Sequence, residues 1–254
     1  MKASLLNLVE SQVSKFRQIT GLSDSEAVNL KSLLLKLNVL TIYRPLSKDF
    51  SGMSLKSGDK RFMLVNSNHP RCRQHFTIAH ELYHLFIDPN PMPHNCMAEG
   101  KKSDVEQCAD AFALMFLMPA DGVLQMIPDN ELMAGRVSLA SVLRIGHYFS
   151  VSFSAVLNRL YDLKLIDRVE RDTFKEYPVK KTAKEYGYDT ALYEPANENL
   201  VIGDFGEKAR RLFDEEKISE GDFLRKEIFI PNRFSAREPQ AHKKMTFPMQ
   251  VRFS

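Results

Sequence analysis

His80-Glu81-Leu82-Tyr83-His84 is an H-E-x-x-H pattern set in an apolar segment with helical spacing. On a helix, residues four apart share a face, so the two imidazoles can hold one metal ion between them. Glu81 directly follows the first of them and can reach a water on that metal as general base. Two histidines on an ordinary helix surface would give the same five letters, so the flanking residues carry the decision. Upstream, Pro70 marks where the helix begins. Downstream, Pro89 disfavours helix at Asp88, and Pro91 and Pro93 extend the break. Ala79, Leu82 and Phe86 mark the stripe this helix is expected to bury. Residues 89–103 read as loop, and residues 104–118 as another helix that stops at Pro119.

A catalytic zinc takes three protein ligands and keeps a fourth position open. The metzincin extension needs a glycine at position 87 and a histidine at position 90. Ile87 and Asn90 exclude that class. The remaining route is an acid from a following helix. Glu106, at the start of helix 104–118, is the first candidate. Ala109, Asp110 and Ala113 share its helix face and are small enough to let that helix come close. Asp110, one turn on, can orient a ligand histidine from behind. Asp110 itself, Glu99 and His94 are the rival third ligands, and Cys96, His69 and His75 are also near in sequence.

Outward from the motif, Leu5, Leu6, Val9, Val13 and Phe16 recur at helical spacing. Ser23 followed by Glu26 resembles a capping box, from which a second helix is expected through Leu37. Val39 to Arg44 and Phe62 to Val65 are β-prone runs, so a small antiparallel sheet is expected over residues 39–66. Past the second motif helix, residues 138–149 and 153–163 form a helical hairpin, with Ser152 as N-cap of its second arm. Beyond residue 168 the chain turns polar with little periodicity, apart from a short charged helix at 206–216. Residues 232–254 carry Arg233, Arg237, Lys243, Lys244 and Arg252 against Glu238, the composition of an extended or disordered tail. The expected class is α+β. A zincin-like peptidase domain spans 1–135, a hairpin 136–168 packs on it, and an extension 169–254 ends in the basic tail.

Composition narrows the setting. The chain has 254 residues, 44% apolar and 26% charged, with a net charge of +3. That balance gives no electrostatic case for nucleic acid. No apolar run approaches the ~20 residues of a membrane span. The N-terminus lacks a secretory apolar core. Three cysteines, Cys72, Cys96 and Cys108, make no disulfide framework, and a cytoplasmic location is the expectation.

Residues 73–84, Arg-Gln-His-Phe-Thr-Ile-Ala-His-Glu-Leu-Tyr-His, resemble the R-q-x-F-T-x-A-H-E-l-g-H segment of the ImmA/IrrE metallopeptidases. Glu106-Gln107-Cys108-Ala109-Asp110-Ala111-Phe112-Ala113, running on to Leu117-Met118-Pro119, is similar to the E-x-x-A-n-x-F-A and L-M-P segments of that family. Ser51-Gly52-Met53, Val65-Asn66-Ser67, Phe149-Ser150-Val151-Ser152 and Arg159-Leu160 are similar to its other segments. Leu192-Tyr193-Glu194-Pro195 resembles the C-terminal part of some members. The resemblance implies a zinc-dependent, gluzincin-like endopeptidase with His80, His84 and Glu106 as ligands. It also implies an anti-repressor that cuts a helix-turn-helix repressor in the cytoplasm, in mobile elements or DNA-damage responses. Tyr83 departs from the pattern, since many members have glycine there.

Zn²⁺ suits two imidazoles and a carboxylate, and Mn²⁺ can occupy the same set. The oxyanion of such a reaction needs a further donor, for which Tyr43, Arg73 and Tyr83 are candidates. A strand near Met63 to Val65 could take an extended substrate by β-addition. The hairpin could instead read DNA, but its second arm offers only Arg159 and Lys164, with Asp162 between them, so packing is the expected role. The rival function is a catalytically silent binding or DNA-binding module that keeps a structural metal.

Overall fold

The computed structural model describes residues 3–89, 94–97 and 103–221. Helix α1 (Ala3–Thr20) buries Val9, Val13 and Phe16, as its spacing predicts, and carries the wholly buried Arg17 in its last turn. The Ser23–Glu26 capping box forms its reciprocal hydrogen bonds, yet no helix starts there. The reason is Arg17. Its guanidinium donates to the carbonyl oxygens of Ser23 and Glu26, the acceptors a continuing helix would need, and to that of Phe116. Helix α2 (Leu30–Lys36) begins instead where the Asn29 side chain accepts from Ser32 N–H.

The sheet corrects one expectation. Strands β1 (Val39–Arg44), β2 (Phe50–Ser57) and β3 (Lys60–Asn66) are present, but β1 and β3 run parallel. With β4 (His94–Met97) and β5 (Val201–Ile202), the order is β4-β2-β3-β1-β5 and the sheet is mixed. The β2–β3 hairpin turns tightly at Gly58, whose φ of 57° suits glycine. The β1–β2 connection crosses over the end of β3, held by the buried Asn66. The Asn66 amide donates to the carbonyls of Ser47 and Phe50, and its oxygen accepts from Leu46 N–H. That crossing puts β2 on the far side of β3 and makes β1 its parallel neighbour. Residues 94–97, expected as loop, are the outer strand beside β2.

Helix α3 (Arg71–Phe86) carries the motif. A single buried stripe was expected, but Thr77 through Leu85 are all buried. The sheet covers one side of the helix, and α4 (Asp104–Leu117) covers the other. Three phenylalanines, Phe16, Phe112 and Phe116, meet with ring centroids 5.5–5.7 Å apart and bind α1 to α4.

Short helices α5 (Ala120–Gln125) and α6 (Asp129–Ala134) lead to the hairpin of α7 (Leu139–Tyr148) and α8 (Phe153–Asp162), with Ser152 capping α8 as expected. Of the two cations on the second arm, Arg159 is buried and donates to the Met118 carbonyl at the end of α4. The polar stretch beyond is more ordered than its periodicity suggests. Helix α9 (Arg168–Lys175) starts at an Asp167–Glu170 capping box, and α10 (Val179–Glu185) and a 3₁₀ turn (Thr190–Tyr193) follow. Helix α9 buries no residue and α10 buries only Thr182 and Ala183, too little apolar signal to read. After β5 comes α11 (Phe205–Asp214), the charged helix expected. Among the described residues no helix is long and apolar enough to cross a membrane. The basic tail lies outside the described residues.

Candidate metal centre

The centre is built where the middle of α3 meets the first turn of α4. His80 and His84 lie one turn apart and are almost fully buried, at 1% and 2% exposure. Helix α4 starts at Ser103, whose side chain accepts from Glu106 N–H, and this cap fixes the turn that carries Glu106. Ala109 and Ala113, both fully buried, let α4 lie close against α3.

The Nε2 atoms of His80 and His84 are 3.3 Å apart. The Glu106 carboxylate straddles them, at 3.2 Å from His80 Nε2 and 3.3 Å from His84 Nε2. On its other side each ring has a carboxylate of its own. His80 Nδ1 is 3.0 Å from Asp110 Oδ1, and His84 Nδ1 is 3.1 Å from Asp88 Oδ2. With Nδ1 donating, both Nε2 atoms and the Glu106 oxygens turn lone pairs toward one another, an arrangement that a shared cation stabilises. His80, His84 and Glu106 thus fit a metal ion: one ligand atom from each, all within 4.8 Å of one another.

The electrostatics agree. The two imidazoles hold the Glu106 carboxyl well below the ordinary carboxylate range. Burial works against protonation of His84, but Glu106 and Asp88 outweigh it and raise its pKa. Burial pushes the Glu81 carboxyl up. Glu81 is wholly buried; its Oε2 accepts from Ser54 Oγ at 2.6 Å, and its Oε1 is buried with no hydrogen-bond partner. Glu81 thus has one carboxylate oxygen tied and one bare, next to the three residues that could hold a metal.

The other sequence candidates are dispersed. Arg73 lies on α3 toward the sheet, its Nη2 3.2 Å from Ser51 Oγ. With Phe76, Asp110, Leu114 and Asn158 it lines a groove of about 750 Å³ between α3, α4 and α8. Tyr43 is buried in the apolar core on β1, where burial raises its pKa to about 12, and no described hydrogen bond joins it to the centre. Tyr83 is buried, with its ring 5.7 Å from that of His84 and 5.6 Å from that of Phe112. Its hydroxyl pairs with Cys108 on α4, so this tyrosine fills the α3–α4 interface beside His84. Of the rival ligands, His69 bonds the Lys48 carbonyl and His75 that of Ser150. The side chains of His94, Cys96 and Glu99 lie outside the described residues. The strand expected to accept substrate, Met63–Val65, is paired on both sides by β1 and β2.

Two contacts escaped the sequence reading. Asp88 continues the stripe of His80 and His84 at the same four-residue interval, a signal that was there to be read. Ser54 arrives from β2, and nothing in the sequence links it to Glu81.

A comparison with curated proteins found no match. The peptidase M78 family model, described as the IrrE N-terminal-like domain, matches residues 35–161, which is half of the chain and runs from before β1 to the last turn of α8. Both motif helices and every residue of the triad fall inside that match, and the chain belongs to this peptidase family.

Proposed function

We propose that this protein is a zinc-dependent endopeptidase of the cytoplasm that cuts a helix-turn-helix transcriptional repressor, relieving repression. The observation that carries the catalytic part is the convergence of His80, His84 and Glu106 at 3.2–3.3 Å beside a buried carboxylate with one bare oxygen. Membership of a peptidase family supports a protein substrate. The repressor as target rests on the ImmA/IrrE resemblance.

His80, His84 and Glu106 would hold the metal, with Asp110 and Asp88 keeping the two rings in the tautomer that binds it. When bound, zinc supplies Lewis acidity toward a water and the scissile carbonyl. Glu81 takes the proton of the attacking water on Oε1 and returns it to the leaving amine as the C–N bond breaks. Strand β4 closes the sheet on the β2 side, and an extended target segment adding along it would present its carbonyls to the centre. The cut therefore falls in a linker or loop of the repressor. Of the three donors first considered for the oxyanion, Arg73 alone lines the groove that also reaches Asp110.

The test is incubation with any helix-turn-helix repressor encoded by a neighbouring gene, with and without chelator, for wild type and Glu81→Gln. A single chelator-sensitive cut, lost in Glu81→Gln with metal content unchanged, is expected. Tight binding of an intact repressor would favour the silent-module reading. Wild-type cleavage by Glu81→Gln would remove Glu81 from the mechanism.

A further inference from the structure

We propose that strand β2 is the positioning element for Glu81, acting through Ser54 and made possible by Gly52. This deepens the peptidase reading and rests on it for its catalytic consequence, though not for the contact itself.

Gly52 and Ser54 are two apart on a strand, so they point to the same side. That side faces α3. A Cβ on Gly52 would sit 2.6 Å from Thr77 Cγ2 and 2.8 Å from the Leu64 carbonyl oxygen, so any side chain there would force the strand and helix apart. One helical turn beyond Thr77 is Glu81, and one strand repeat beyond Gly52 is Ser54. The close approach at Gly52 is what brings Ser54 Oγ within 2.6 Å of Glu81 Oε2. Both partners are buried, at 4% and 0% exposure, so little water can replace the bond. With Oε2 held by a hydroxyl that must donate, Oε1 is the oxygen left for proton transfer, and its direction is set by the sheet. The sheet in turn is the surface along which an extended target would lie. The sheet thus registers base and substrate together, the base through β2 and the target along β4 beside it.

Three variants test this: Ser54→Ala, Ser54→Thr and Gly52→Ala. Ser54→Ala should lower kcat by about tenfold to a hundredfold, the range for supporting contacts of metal sites, with KM and bound metal per chain unchanged. Ser54→Thr keeps the hydroxyl and should recover most of the loss. Gly52→Ala touches neither metal nor Glu81 and should show the same kcat defect. A second readout needs neither metal nor activity. In metal-free protein, urea unfolding of Ser54→Ala, Glu81→Ala and the double variant should reveal coupling of about tenfold or more in the unfolding constant, as for hydrogen bonds to a charged group. Coupling within a factor of two, or full kcat in Ser54→Ala, overturns the proposal. If wild type cuts no target at all, the peptidase reading falls, and the unfolding cycle still decides whether Ser54 holds Glu81.

Discussion

Replacing Asp88 by alanine should weaken metal binding more than the same change at Asp110. Each carboxylate accepts from the Nδ1–H of one histidine of the centre, at nearly equal distance, 3.1 Å for Asp88 to His84 and 3.0 Å for Asp110 to His80. Geometry alone would make them equivalent. Their surroundings differ, since the Asp88 side chain is 4% exposed and that of Asp110 29%. A charge in the less hydrated place acts through a lower effective dielectric and is less screened by salt. Loss of a carboxylate behind a ligand histidine costs about 10- to 100-fold in metal affinity, or about 1.4–2.8 kcal/mol. Asp88→Ala belongs near the top of that range and Asp110→Ala near the bottom, with the gap widening at higher ionic strength. Competition against a chromophoric zinc indicator at two salt concentrations measures both constants. Affinities within twofold of wild type for Asp88→Ala, or a larger loss at Asp110, would refute the argument.

Three further outcomes are expected. Arg17→Met removes the guanidinium that bonds the carbonyls of Ser23, Glu26 and Phe116. It should cost about 3 kcal/mol or more in urea unfolding; a change under 1 kcal/mol would mean the carbonyls find other donors. Gly122→Ala would drive a methyl into the Ser25 carbonyl and the Phe149 ring, a backbone collision no rotamer relieves, and should lose about 1–3 kcal/mol by thermal or urea unfolding. Glu131 accepts from both the N–H and the hydroxyl of Ser138, which outweigh burial and lower its pKa. A lowered carboxylate stabilises the fold above its unfolded pKa, and that stability is lost as pH falls through the folded value. Glu131→Gln should therefore flatten the decline in stability on the acid side of the ordinary glutamate range, and an unchanged acid profile would count against the bond.

The helices of the centre were legible because chemistry and periodicity coincide there. His80 and His84 lie four residues apart, and Glu106 opens a helix whose small residues announce close packing. Metal chemistry needs few residues at fixed spacing, and spacing survives in a single sequence. The sheet was less legible. Parallel pairing of β1 with β3 follows from Asn66 gripping the connection at residues 46, 47 and 50, a side-chain event that periodicity does not record. The Ser23–Glu26 box misled for a similar reason: the local bonds form, but a distant arginine claims the carbonyls. Ser54 is the limiting case, a hydroxyl on an unremarkable strand whose partner lies twenty-seven positions away.

The segment from Glu194 to Ile202 has a consequence for the order in which the protein can be made. Glu194 and Ala196 accept from Arg71 N–H and the Gln74 side chain at the first turn of α3, Leu200 accepts from Tyr43 N–H, and Val201–Ile202 pair with the outer side of β1. The whole of this segment, 194–202, lies beyond the stretch that the family model matches. While the chain emerges from a ribosome, β1 has an open, hydrogen-bonding edge for as long as the ribosome takes to reach residue 202. Such an edge is a template for pairing with other nascent chains. A fragment cut at the end of α8 would hold His80, His84 and Glu106 and still keep that edge open, so it should aggregate where the longer chain does not.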